Sequence, residues 1–561
     1  MLLYISLLIT LHISVKFEGG ASMSKKKGLR LFAAGVLTAV TLVLTGVADN
    51  GAGVVKAADA MQVSCLINGG NVTVTASNST APASDDGMLY LFAEPIYSDG
   101  ITTSALASAP AGSNASFTTP LNANSADSRL FSKFYVAAKK GGQYVPLNAG
   151  AYITNPEAIA TNTFARTVTG KKGLVIDPAK LATNEMVDLG VKQTLYNISL
   201  SRILGPTQNG SYPTINYNYN GKSYQFNGLV VAEYDNIFGT FTKRGIQTTA
   251  ILLNPNDGRI PQLIHPLSRD GFASPYYMFN TAEKEGSDYL AAAAAFLAER
   301  YSNGTHGKVD NWIVGNEVNA RYEWNYVNIA DLNAYANEYA EGFRICYNAI
   351  KSKNANAGVY ICTEQQWDRN RKEAGKYDSK DFIDAFNRSI AAGGNLDWGL
   401  MTHPYPVPLT WAAYWTGGAY YKNLVKHNVN SPYVTMENIE VLTDYMCRAE
   451  LLSPKGQVRS ILTAAGYTTT QGEDMAMAAL VHGYQQAANN QHIDAFIVSR
   501  ESDMAEEIPQ GLALGLTNVD GSHKLTYDTY KNLDGPGAAA YIEQAKAIMG
   551  IADFSQVITA R

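Results

Sequence analysis

From residue 171 onward the chain alternates two textures. Short, nearly continuous apolar runs are followed by stretches whose apolar residues recur every three or four positions. The first kind reads as a strand buried on both faces, the second as an amphipathic helix. The runs are "KKGLVID" (171–177), "KQTLYNISL" (192–200), "TTAILLN" (248–254) and "NWIVGNE" (311–317), then "GVYICTEQ" (358–365), "DWGLMTHPY" (397–405), "PYVTMENIE" (432–440) and "DAFIVSRESD" (494–503). Helical periodicity is predicted over 178–188, 229–244, 286–302, 380–391, 418–427, 473–489 and 537–549. It is predicted as well through Leu332, Tyr335, Tyr339, Phe343 and Cys346. Eight such strands joined by helices predict an α/β fold, a (β/α)8 TIM barrel. An open doubly wound sheet is the alternative. It normally has fewer strands and a glycine-rich phosphate turn, and neither a GxGxxG after the first run nor a P-loop occurs here.

The preceding segment has a different period. "NVTVTAS" alternates apolar and polar residues, and "GMLYLFAEP" and "FSKFYVAAK" are compact apolar runs between turn-rich stretches. Residues 61–165 therefore read as a small N-terminal β-sandwich domain, and 166–561 as the barrel. Residues 1–60 read as a targeting region and are set aside from the fold. Lys25, Lys26, Lys27 and Arg30 precede an apolar run from Leu31 to Val47, with small-residue cleavage candidates at Ala57 and Ala60. That is the pattern of a bacterial secretory signal peptide, with a short membrane anchor as the other reading. Residues 1–22 read as a non-native upstream start, "FEGGAS" before Met23 resembling a translated ribosome-binding sequence. The expected product is secreted or at the cell surface, with no stable membrane insertion after cleavage.

Composition narrows the partners. The net charge is -5 over 561 residues, and no basic stripe with interleaved aromatics argues for nucleic acid. Tyrosine outnumbers phenylalanine 34 to 18. Its flat apolar face with a polar tip suits sugar rings and wet interfaces. Cys65, Cys346, Cys362 and Cys447 include no CxxC pair, and read as buried thiols or one structural bridge. No HExxH metal motif and no GxSxG elbow are present, so no metal and no cofactor are expected.

Function in such a barrel gathers at the C-terminal ends of the strands. The third run ends in Asn254, with His265 further on, and the fourth in Asn316 and Glu317. The fifth ends in Glu364, Gln365 and Gln366, followed by Trp367. The sixth carries His403 and Tyr405, with Trp411 and Trp415 in its loop. Glu437 and Glu440 follow the seventh, and Arg500, Glu501 and Asp503 the eighth. Each has a plainer reading. Glu317 caps a helix, His265 and His403 are core histidines, the tryptophans cover loops, and Arg500 with Glu501 and Asp503 forms an ion-pair cluster. Their recurrence at equivalent positions on successive strands favours a polar, flat-faced ligand, a carbohydrate.

"WIVGNE" resembles the end of strand four in the retaining glycoside hydrolases of the (β/α)8 superfamily called clan A. The chain is similar in character to a poorly characterised bacterial family of secreted glycosidase-like barrels, a domain of unknown function. The resemblance implies that Glu317 is the acid/base and Glu437 the nucleophile. It implies that Asn316 holds a substrate hydroxyl, and that His403 and Tyr405 line the sugar site. Gln365, Trp367, Trp411 and Arg500 complete the expected binding set. Double displacement needs the two carboxylates about 5–5.5 Å apart, with the acid's pKa raised by burial and by the nearby nucleophile. The chain departs from the clan's pattern at three places. Val318 follows Asn-Glu where proline is frequent. Met436-Glu437 replaces the usual Thr-Glu-x-Gly of strand seven, leaving Glu440 as a rival. Strand eight lacks its tryptophan, with Arg500 at that rim suggesting an anionic sugar. The alternative function is a non-catalytic carbohydrate-binding or cell-surface barrel.

Overall fold

The structure, a computed structural model, describes residues 60–164, 170–370, 374–417 and 423–561. The targeting region proposed over 1–60 lies outside them apart from Ala60. Among the described residues no helix is long and apolar enough to cross a membrane.

The N-terminal segment forms two antiparallel sheets. One has the order Gln62–Asn68, Asn71–Ser77, Asn114–Pro120, and the other Ala107–Pro110, Met88–Glu94, Lys133–Lys140, Gln143–Pro146. The alternation along "NVTVTAS" places Val72, Val74 and Ala76 inward. They meet Leu89, Leu91, Phe134 and Val136 of the facing sheet in one core. The sandwich docks on barrel helices through the ion pair Lys133 Nζ–Glu341 Oε1 (3.1 Å). The Asn348 amide also donates to the Leu130 carbonyl (3.0 Å).

The barrel is closed by eight parallel strands: Lys172–Leu174, Gln193–Ser199, Gln247–Leu253, Asn311–Val314, Gly358–Glu364, Gly399–His403, Ile461–Ala465 and Ile493–Val498. The last pairs with the first, Val498 opposite Leu174. Period-two alternation divides each strand between two cores. Leu195, Ile251, Ile313, Met401, Leu462 and Ile497 fill the barrel interior. Ile198, Leu252, Val314, Leu400, Ile461 and Val498 face the helical layer. Long helices follow most strands, and polar side chains begin two of them. Asn227 accepts from Leu229 and Val230 N at the head of Gly228–Lys243, and Asp331 from Ala334 N at the head of Leu332–Lys351.

Seven of the eight predicted runs lie on barrel strands. The run at 432–440 does not. Thr435 accepts from the Glu437 amide (3.1 Å) while the Asn438 side chain accepts from the Thr435 amide (2.9 Å). This capping box turns the chain into the 3-10 turn Met436–Asn438 and then the helix Glu440–Met446. Val434 and Met436 are apolar because they are buried in the helical layer. Strand seven is instead Ile461–Ala465. Of the helix expected at 418–427, residues 418–422 lie outside the described residues, and 423–427 are not helical. All four cysteines are free thiols, with Cys447 exposed and the other three buried.

Candidate active site

Strand four stops at Val314, and the chain then makes two left-handed steps. Gly315 has φ 76° and Glu317 φ 39°. Glycine adopts this region freely, whereas a residue with a side chain pays on the order of 1 kcal/mol. The surroundings hold the kink in place. The Tyr339 and Tyr335 hydroxyls donate to the Val314 and Val318 carbonyls, both at 2.6 Å, and Val318 N donates to the Cys362 carbonyl (2.9 Å). Val318, which stands where the clan often has proline, uses the amide that proline lacks. The kink leaves Glu317 at the barrel mouth, 5% exposed.

There Glu317 meets His403, the last residue of strand six. His403 Nδ1 and Glu317 Oε1 are 2.6 Å apart, both side chains almost fully buried. The other ring nitrogen lies 3.7 Å from the Cys362 sulfur, and the Cys362 thiol donates to Asn316 Oδ1 (3.8 Å). Burial alone pulls an imidazole pKa down. Cys362 on one side and Glu317 on the other overcome that and hold His403 up at about 10. The carboxylate is the closer of the two, so the imidazole's proton at neutral pH lies in the 2.6 Å hydrogen bond the pair shares.

Two hollows adjoin this pair. The first is floored by Val175, Leu195 and Ile251 and walled by Asn197, Asn316, Trp324, His403, Tyr405, Ala464 and Ser499. The second is bounded by Glu317, Glu323, Trp324, Glu364, Gln365, Lys376 and Tyr405. Burial, then the charges of Glu317 and Glu323 working against Lys376, lift Glu364 to about 7. Glu323 is raised for the same first reason and pairs with Lys376 at 3.6 Å. Among the described residues no group of three or more His, Cys, Asp or Glu side chains is placed to hold a metal ion.

The structure thus brings Asn316, Glu317, His403, Tyr405 and Gln365 together at the mouth. It corrects the rest of the expected set. Glu437 sits on the 3-10 turn outside the barrel, where Gln486 of helix Glu473–Ala488 donates to its carbonyl (2.9 Å). Its carboxyl is lifted to about 7 by burial, and its charged neighbours are His427 and Glu440, not Glu317. Glu440 is bound to His427 Nδ1 (2.7 Å) on the same outer side. Trp367 is 1% exposed, donates to the Val429 carbonyl (3.0 Å) and meets Tyr445 edge-on, which makes it a packing residue. Trp411 is half-buried and borders neither hollow. Arg500 is taken by Glu507 in a two-point ion pair (2.9 and 3.1 Å), not by the expected Glu501 and Asp503, and Asp503 pairs with Lys524 (2.7 Å) instead. His265 caps a 3-10 turn by accepting from Leu267 N (3.1 Å).

The aromatic face at the mouth is Trp324, missed from sequence although it lies seven residues past Glu317. Its ring stacks on Tyr276 with centroids 5.1 Å apart and planes 5° from parallel. Asn197, Cys362 and Ser499 were also missed. Strand seven holds the largest surprise. It ends Thr463-Ala464-Ala465-Gly466, the clan's Thr-Glu-x-Gly spacing with alanine in the place of glutamate.

The eight strands thus close a (β/α)8 barrel with a carboxylate–imidazole pair and the stacked Trp324 and Tyr276 rings at its mouth. The chain belongs to the family of unknown function DUF5722, which matches residues 165–557. No curated protein matches it. Among solved structures it is similar to a family 39 glycoside hydrolase from Bacteroides cellulosilyticus WH2, at 14% identity over 85% of this chain and 83% of that one, TM-score 0.43. A GH5_18 protein from Bifidobacterium longum subsp. longum, in complex with Manb1-4GlcNAc, matches at 11% identity over 66% and 78%, TM-score 0.41. A glucosidase from Croceicoccus marinus matches at 12% over 65% and 68%, TM-score 0.39.

Proposed function

We propose that the mouth of this barrel binds a saccharide as a glycoside hydrolase does, with Glu317 as the proton donor to a glycosidic oxygen. The observation that carries this reading is the kinked end of strand four. A left-handed glutamate, held by two tyrosine hydroxyls and a backbone bond, is presented to an open hollow and joined to an imidazole. The shared proton makes the chemistry workable. As charge develops on the leaving oxygen, Glu317 delivers the proton it shares with His403, and the imidazole stays as its partner. Asn316 and Asn197 supply hydrogen bonds to hydroxyls, and Trp324, braced by Tyr276, supplies a flat apolar face. The leader-like pattern at 23–60 supports an exported protein meeting glycans outside the cell.

A second reading, a carbohydrate-binding barrel without turnover, is favoured by one observation. Strand seven presents alanine, not a carboxylate, to the hollow. A glycan array with the 60–561 protein tests the shared part of both. Binding that weakens about tenfold or more in Trp324→Ala supports the site. No bound glycan, or binding indifferent to Trp324, overturns it.

A further inference from the structure

Glu317, His403, Cys362 and Asn316 form a row of touching side chains that begins and ends on neighbouring residues of the strand-four kink. The buried member is the cysteine. Cys362, on strand five, is fully buried, belongs to the barrel interior and borders neither hollow. Its sulfur lies 3.7 Å from His403 Nε2, and its thiol donates to Asn316 Oδ1 (3.8 Å). His403 Nδ1 in turn meets Glu317 at 2.6 Å. A row of cysteine, imidazole and carboxylate can activate a sulfur nucleophile. Here the sulfur is sealed below the mouth and touches no substrate, so its two contacts act on its neighbours.

Each contact fixes a role. A thiol has one hydrogen to give and a sulfur that accepts. The hydrogen goes to Asn316 Oδ1, which leaves the sulfur to accept from His403 Nε2–H. Both ring nitrogens then face acceptors, Glu317 at Nδ1 and Cys362 at Nε2, and each keeps a proton. The titratable groups around the ring are Glu317 from strand four, Cys362 from strand five and Tyr405 beyond strand six, the last edge-on at 6.1 Å. Asn316 is set in the same way. Its oxygen is spent on the thiol, and among the described residues its N–H2 has no acceptor, so the amide nitrogen is left to the first hollow, which Asn316 walls. On the same hollow Asn197 Oδ1 is buried without a donor among the described residues. An open donor and an open acceptor match a neutral hydroxyl, which accepts from one and donates to the other.

We propose that Cys362 is a positioning residue of the mouth, which holds His403 with a proton on each nitrogen and turns the Asn316 amide so that its N–H2 meets a ligand hydroxyl. The part concerning Asn316 rests on the saccharide reading above, and the part concerning His403 does not. Sulfur suits the place because its contacts are long. One atom reaches the ring on one side and the amide on the other while staying under both, and an alanine there would leave Nε2 without an acceptor and the amide free to turn.

The test is NMR of the protein carrying 15N-labelled histidine. In the wild type at pH 8, His403 is expected to bear a proton on Nε2 as well as on Nδ1, and a bare Nε2 overturns the proposal without need of a variant. In Cys362→Ala the His403 titration should fall from about 10 to about 9 or lower, with circular dichroism unchanged. Leu462→Ala removes a buried side chain of the same interior cluster that borders neither hollow, and should leave the titration in place. No fall in Cys362→Ala, or an equal fall in Leu462→Ala, makes Cys362 a packing residue and overturns the proposal. Cellobiose, lactose, mannobiose and xylobiose are then offered to the three proteins. Affinity about tenfold weaker in Cys362→Ala, and unchanged in Leu462→Ala, supports the role at Asn316. Equal affinity in all three overturns that role alone. If the wild type binds none of the four, that role falls together with the saccharide reading, while the His403 titration still decides the rest.

Discussion

Removing the charge of Glu317 while keeping its shape should expose the worth of the pair at the barrel mouth. In Glu317→Gln, His403 keeps a hydrogen-bonding neighbour but loses the carboxylate 2.6 Å away. Breaking a buried ion pair from one side costs about 3–5 kcal/mol, and the retained amide softens that to about 3. The pH dependence follows from the imidazole. Its folded value is raised from 6.5 to about 10, so its stabilising effect is complete below pH 6.5 and fades as the pH rises through 10. The rise, to which Cys362 contributes as well as Glu317, sets a ceiling of about 5 kcal/mol on what the pair can supply. Urea unfolding of wild type and Glu317→Gln at pH 6, 8 and 10 should show a gap of about 3 kcal/mol at pH 6 that falls below about 1 at pH 10. NMR titration of the His403 ring should find it protonated at pH 8 in the wild type and neutral in the variant. A gap that does not change with pH, or a His403 that titrates near 6.5 in the wild type, would refute the shared-proton pair.

Other outcomes follow from the same geometry. Glu437→Ala should leave glycan binding and any turnover at wild-type level, because the residue lies outside the barrel; a large loss in a microplate binding assay would place it back in the site. Glu364→Gln should stabilise the protein at pH 8 by about 1–3 kcal/mol and not at pH 5, measured by denaturant unfolding. Its acid is lifted to about 7, so the wild type loses stability as the pH rises from 4.5 through 7. Trp324→Phe should keep most glycan affinity, whereas Trp324→Ala should lose about 1–2 kcal/mol by calorimetry.

Seven strands and the sandwich were legible because their apolar residues have no competing local use. The placement of Asn316, Glu317 and His403 at the barrel mouth was legible because each stands where an apolar run stops. Strand seven was not, for two reasons. Ile461–Ala465 is short and rich in alanine and threonine, so its hydropathy is modest. The more apolar stretch before it carries Thr435 and Asn438, whose mutual capping commits it to a turn. Misplacing that strand displaced the second carboxylate onto Glu437 and hid Ala464. Trp324 escaped because its position at the mouth depends on stacking with Tyr276, from the loop after another strand, which no local pattern reveals. Arg500 and Trp367 show the reverse case. Polar or aromatic residues past strand ends are also recruited by neighbours, here Glu507 and the Val429 carbonyl.

The most direct measurement is a crystal structure of Glu317→Gln with an oligosaccharide that the glycan array selects. The sugar should lie on Trp324, with a glycosidic oxygen within about 3 Å of the residue 317 side chain. A saccharide bound elsewhere on the surface, with the mouth of the barrel empty, would contradict the proposed function.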